Sequence, residues 1–141
     1  MKRRDFLIDG CTACAALLVL PALTSLESCA AGRNIPFTEE GTLLKVPVNG
    51  FAGRTTALLR PKTLMDPLLV VKEPSGSYMA FLMKCPHKGQ PLALAGNTIV
   101  CDAHGSQFDL EGHVTKGPAR TGLKEFPVMV NGDQLEIDLK Q

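Results

Sequence analysis

The chain has 141 residues, with 15 Lys plus Arg against 14 Asp plus Glu, a net charge of +1 and an apolar content of 45%. Once a leader of roughly 28 residues is set aside, about 110 remain, one ordinary domain able to bury its own core without disulfide support. The near-neutral charge excludes an electrostatic grip on nucleic acid, and the composition excludes a disordered tail or a multi-span membrane protein.

Residues 1–28 have the form of an export signal. Lys2, Arg3 and Arg4 precede an uncharged run from Gly10 to Leu26, rich in Ala and Leu, the charged n-region and apolar h-region of such a leader. Arg3-Arg4-Asp5-Phe6-Leu7 resembles a twin-arginine signal, an address for a translocon that moves folded proteins. Three fates are compatible with its end. Leu26-Glu27-Ser28-Cys29 resembles a lipobox, which would make Cys29 the lipidated first residue, although Glu27 departs from the small or apolar residue usual there. Ser28-Cys29-Ala30 also fits a small-residue cleavage site, and the uncharged run stands at the short limit of a membrane span, interrupted by Pro21. Cys11 and Cys14 lie within the leader and read as small apolar filler. Residues 29–41 carry no structural signal and are expected to be a tether to a domain spanning 42–141.

From Thr42 onward, short β-rich runs alternate with Gly, Pro, Asn and Asp. Strands are expected over 42–48, 67–72, 77–83, 97–101, 107–110, 124–130 and 134–139. The last two flank Asn131-Gly132-Asp133, a hairpin loop. With no amphipathic helix of convincing length, the expected class is all-β, a sandwich or small barrel.

The chemistry lies between Cys85 and Pro118. Cys85-Pro86-His87 is followed, after thirteen residues, by Cys101-Asp102-Ala103-His104. Two thiolates and two imidazoles suit a tetrahedral Zn²⁺ or an iron–sulfur cluster. Common zinc modules pair Cys with Cys and His with His, whereas here each loop supplies one of each. Mixed pairs suit a binuclear centre, since each loop then reaches both irons, the arrangement in which two His replace two Cys of a [2Fe–2S] site. A Cys85–Cys101 disulfide would leave both histidines unexplained.

These motifs resemble the Rieske iron–sulfur family over roughly residues 42–140. Cys85-Pro86-His87-Lys88-Gly89 is similar to its first cluster loop, Cys101-Asp102-Ala103-His104-Gly105-Ser106 to its second, and Gly117-Pro118-Ala119 to the proline loop covering the cluster. The resemblance implies an antiparallel β-sandwich with a small cluster-binding subdomain. It also implies one [2Fe–2S] cluster on Cys85, His87, Cys101 and His104, with Ser106 donating a hydrogen bond to a bridging sulfide. Gly89 and Gly105 are expected to let the backbone turn sharply and bring N–H groups towards sulfide. The paired cysteines that brace the quinol-oxidising class are replaced by Gln90 and Ala103, and Phe108 stands where that class has a tyrosine. The implied potential lies between the two classes, within the roughly −150 to +300 mV range of Rieske centres.

Three histidines in all leave only His113 beyond the ligands, so this chain cannot also hold the two-His, one-carboxylate iron of an oxygenase. His113 follows Gly112 and reads as a solvated loop residue. No G-x-G-x-x-G fingerprint and no catalytic residue is found. The expectation is an exported, periplasmic-side protein that passes single electrons between redox partners, tethered through Cys29. A zinc-stabilised binding module and a quinol-oxidising subunit with an uncleaved anchor are the alternatives.

Overall fold

The computed structural model describes residues 35–140. The expected signal, with Cys11, Cys14 and Cys29, lies outside the described residues. Within them are twelve strands, a single 3-10 turn at Val48–Phe51 and no α-helix. All strand pairs are antiparallel.

The first sheet contains β1 (Thr38–Glu40), β2 (Leu43–Pro47), β11 (Val128–Asn131) and β12 (Gln134–Asp138), in the order β1-β2-β12-β11. The second contains β3 (Thr56–Leu59), β4 (Leu68–Lys72), β5 (Tyr78–Leu82) and β10 (Glu125–Phe126), in the order β10-β5-β4-β3. The third is smaller and contains β6 (Ala93–Ala95), β7 (Thr98–Val100), β8 (Gln107–Phe108) and β9 (Val114–Lys116) in sequential order.

Side-chain alternation explains how they stack. In β12, Leu135 and Ile137 are buried while Gln134, Glu136 and Asp138 are not, the pattern of a strand with one covered face. In β4, four successive residues are buried. Leu68 and Val70 join the core with Leu44, Val46, Leu135 and Ile137. Leu69 and Val71 join a second core with Phe81, Ile99 and Phe108. The second sheet is thus covered on both faces, which requires the uninterrupted apolar run Leu68-Leu69-Val70-Val71. The result is the expected all-β architecture, an antiparallel sandwich carrying a smaller lobe.

Two expectations are corrected. The single strand over 124–130 is divided at Pro127: β10 pairs with β5 in the second sheet and β11 with β12 in the first. Proline removes a ladder donor and lets the chain change sheets there. The folded part also begins before residue 42. Ile35 is buried in the first core, Phe37 packs against that core, and β1 pairs with β2. Gly50 permits this approach, because a Cβ there would meet Ile35 Cγ2 at 2.4 Å.

Glu39 fastens this early strand to the loop before β4. Its carboxylate accepts hydrogen bonds from the Thr63 hydroxyl, from Lys62 N–H at 2.9 Å and from Thr63 N–H at 2.8 Å. The Thr63 side-chain bond, followed by the Lys62 backbone bond, holds its carboxyl below the usual carboxylate value. A carboxylate with a lowered folded pKa stabilises above its unfolded value, and that contribution is lost as the pH falls through the folded value. Glu39→Ala should therefore lower stability at pH 7 by the small amount a solvent-screened surface interaction contributes, roughly 0.2–1 kcal/mol. In urea unfolding, the difference from wild type should shrink as the pH is taken below about 4.3. A difference that stays constant with pH would remove the carboxylate from this role.

The lobe's seat on the second sheet depends on Gly112. Its φ is +81°, and a Cβ would stand 2.7 Å from Cε1 of the buried Phe81. Gly112→Ala should destabilise by roughly 2–3 kcal/mol, through strain and displacement of Phe81. Thermal melts of the two proteins check this.

Candidate metal centre

The two cysteines sit at strand ends, above an apolar floor. Cys85 follows β5 in a loop tied by the Lys84–Pro91 bridge, and Cys101 directly follows β7. Both thiols are free and 1% exposed, packed into the second core with Ile99, Phe108 and Leu123. The two loops close in the same way. Cys85 N–H donates to Gln90 O at 2.7 Å and Cys101 N–H to Ser106 O at 2.9 Å. Gly89 N–H donates to Cys85 O and Gly105 N–H to Cys101 O, each at 2.8 Å. Each ring requires a left-handed residue four places after its cysteine, and Gly89 (φ +68°) and Gly105 (φ +76°) supply it. The sharp turn expected at both glycines is present, and their own N–H groups are engaged by the cysteine carbonyls.

The histidines are less buried than the cysteines. His104 is exposed and His87 half-buried, and their rings meet edge to face, with centroids 5.0 Å apart and planes at 87°. Nδ1 of His87 is buried without any hydrogen-bond partner. Leaving such a nitrogen unsatisfied costs about 1–3 kcal/mol, and a metal ligated there would satisfy it.

The arrangement also bears on metal type. Donors around one tetrahedral Zn²⁺ stand about 4 Å apart, as bond lengths of roughly 2.0–2.3 Å require. Among the described residues, three donor atoms gather within 4.8 Å of one another only at Asp109, Glu111 and His113. No three of the Cys85, His87, Cys101 and His104 donors do so. Two thiols and two imidazoles, one of each from either loop, form a donor set that suits a binuclear iron–sulfur centre, with soft sulfur on one metal and nitrogen on the other.

Ser106 is fully buried, and its Oγ accepts a hydrogen bond from Ala119 N–H at 3.0 Å. Because the oxygen acts as acceptor in that bond, its own hydrogen stays free to donate. This contact fastens the third loop, 117–119, to the second. Sequence reasoning places both segments near the cluster but misses their bond, since a backbone N–H thirteen residues away leaves no local pattern. Gln90 and Ala103 are exposed, and Phe108 is buried in the second core.

His113 is exposed, as expected for a loop residue, with Nδ1 3.5 Å from Asp109 and 4.0 Å from Glu111. Asp109 Oδ1 accepts the N–H groups of Glu111 and His113, at 3.0 and 2.8 Å. This is a side-chain-capped turn between β8 and β9. An open cleft of about 690 Å³, lined in part by Phe51, Val71, Met79 and Leu110, includes none of the four ligand residues.

The Rieske [2Fe-2S] domain family matches residues 51–127, more than half of the chain. Among curated proteins, the chain is 31% identical over 118 residues to the chlorobenzene dioxygenase subunit alpha of Cupriavidus sp. (strain PS12), covering 70% of this chain and 26% of that protein. It is 32% identical over 79 residues to the oxygenase component of dicamba O-demethylase from Stenotrophomonas maltophilia, covering 48% and 23%. The chain thus spans about a quarter of the length of these relatives. Among solved structures it is similar to the cyanobacterial plasma membrane Rieske protein from Synechocystis PCC 6803. That match has a TM-score of 0.55 and 24% identity, and covers 65% of this chain and 94% of the other. It also matches a chain from the complex of reduced oxygenase and oxidized ferredoxin in carbazole 1,9a-dioxygenase, with a TM-score of 0.54 and 21% identity, covering 72% and 97%. Both structural likenesses show the fold. With a family match across the lobe and the strands that carry it, and a donor set of two thiols and two imidazoles that fits the cofactor, the chain belongs to the Rieske [2Fe–2S] family and binds one [2Fe–2S] cluster.

Proposed function

We propose that this protein is an exported single-electron carrier, or the small redox subunit of a larger oxidoreductase. The observation that carries the reading is the vertical order of the donors: buried Cys85 and Cys101 thiols, with the His87 and His104 imidazoles turned outward. In this reading the two thiolates hold the inner iron and the two imidazoles the outer one. The cluster supplies reversible one-electron chemistry. The polypeptide excludes water from the sulfur side and brings two aromatic rings to the surface, where a partner's centre can approach. Only His113 remains outside the donor set in this sequence, one histidine short of the pair that an oxygenase iron takes.

Export is supported by the Arg3-Arg4 leader and the apolar run after it. A twin-arginine route suits a protein whose cluster is inserted before transport. Lipidation at Cys29 would tether the domain on the periplasmic side, with redox proteins as donor and acceptor. Mass spectrometry of the protein recovered from membranes should show a chain beginning at an acylated Cys29. A mature chain retaining residues 1–28 would overturn the tether.

Spectroelectrochemical titration of the purified protein should show a reversible one-electron visible transition. Stoichiometric zinc and no colour would refute the redox reading. Ser106→Ala should lower the midpoint by roughly 65–130 mV, the equivalent of a lost hydrogen bond to a charged acceptor. An unchanged midpoint would show that Ser106 only anchors Ala119.

A further inference from the structure

We propose that the face around the two imidazoles is a docking surface for an acidic electron-transfer protein. This inference rests on the redox reading above and adds the chemistry of the partner. Between Ile35 and Lys140, cations and anions balance, eleven Lys plus Arg against eleven Asp plus Glu. The three segments surrounding the ligands do not share that balance. Residues 84–90, 101–106 and 116–124 carry Lys84, Lys88, Lys116, Arg120 and Lys124 against Asp102 alone, all of them exposed.

The fold holds these cations at the cluster end. Lys88 adjoins His87 in the first loop. Lys84 and Lys124 line one shallow cleft with Cys85 and Pro86. Arg120 follows Ala119, whose N–H is bound to Ser106. Lys116 pairs with Gln107, the residue after Ser106, across the β8–β9 ladder.

The nearby acids leave the field largely uncancelled. Asp66 stands 3.6 Å from Lys84 and offsets that one cation. Among the described residues, no acid forms an ion pair with Lys88, Lys116 or Arg120. Asp109 and Glu111 occupy the turn at the opposite end of β8, and Glu125 lies on β10 opposite Phe81. A positive rim around exposed Pro86, Pro118 and His104 has the composition of a small, transient interface: an apolar centre, a charged border and association governed by electrostatic steering. A macromolecular partner fits better than a small anion, because the cleft that Lys84 and Lys124 line is open and includes neither Lys88 nor Arg120.

An acidic plant-type [2Fe–2S] ferredoxin serves as probe. Reduced ferredoxin gives one electron to the oxidised protein; its own cluster is oxidised by one electron and the Rieske cluster reduced by one, downhill because plant-type ferredoxins have the lower potential. In stopped-flow experiments the second-order rate should fall at least about tenfold between low and high salt. The double variant Lys88→Glu/Arg120→Glu should lower the low-salt rate about tenfold and flatten the salt dependence. Lys72→Glu, at the far end of β4, should leave both unchanged. A basic c-type cytochrome should show the opposite salt trend. Calorimetric binding of oxidised ferredoxin at low salt tests the same surface without electron transfer, so a chain that failed to assemble its cluster would refute the redox reading and still report on docking. A salt-independent rate, no effect of charge reversal, or binding to anionic phospholipid vesicles without binding to ferredoxin would overturn the proposal.

Discussion

Burial of β4 on both faces is the constraint on which the rest of this structure depends. Leu68 and Val70 complete a sandwich core that owes nothing to the metal site, while Leu69 and Val71 present a second apolar surface on the other side. That second surface receives Phe81, Ile99 and Phe108, and with them the buried thiols of Cys85 and Cys101. The division keeps the sandwich core separate from the packing around the ligand cysteines. It also gives the sulfur side of the site an interior with few polar competitors, where a thiolate needs a metal to offset the cost of its charge.

The ligand loops then solve one geometric problem twice. Each runs five residues beyond a buried cysteine and returns through the same two backbone hydrogen bonds, closed by a glycine at positive φ. Histidine stands two places after Cys85 and three places after Cys101. Within equal rings, that offset presents the imidazoles at different depths, with His87 half-buried and His104 exposed. Two identical motifs would have placed both rings alike. The unequal pair sets them edge to face, a favourable arrangement for aromatic rings in contact.

Legibility in the sequence followed the range of the interaction. The apolar run of β4, the alternation of β12 and the Asn131-Gly132-Asp133 turn are local patterns and were readable as strands and a hairpin. The ligands were readable because Cys and His at fixed offsets have few other uses. The missing strands are short or weakly β-forming. β6 is Ala-Leu-Ala, β3 is Thr-Ala-Leu-Leu, β1 contains two acids, and β9 has three residues, so their pairing comes from neighbours and not from propensity. Ile35 was invisible as a core residue because its partner is the absent side chain of Gly50. The break at Pro127 was visible as a proline, but the change of sheet follows only from tertiary topology. Likewise, Ser106 stood out as a motif position, whereas its bond to Ala119 depends on two loops meeting in space.

Rigidity without a disulfide follows from the same contacts. Gln90 and Ala103, where the quinol-oxidising class would place bridging cysteines, are exposed, so a covalent brace is absent from both loops together. Its place is taken by a set of weaker bonds spread over three loops: the two cysteine-centred rings, the Lys84–Pro91 bridge and the Ala119–Ser106 bond. Each contributes only about 1 kcal/mol net, yet opening either cysteine loop breaks more than one of them. Such a brace needs no oxidising compartment to form. It can be complete under reducing conditions, as the proposed twin-arginine route would require of a domain that folds before it is moved.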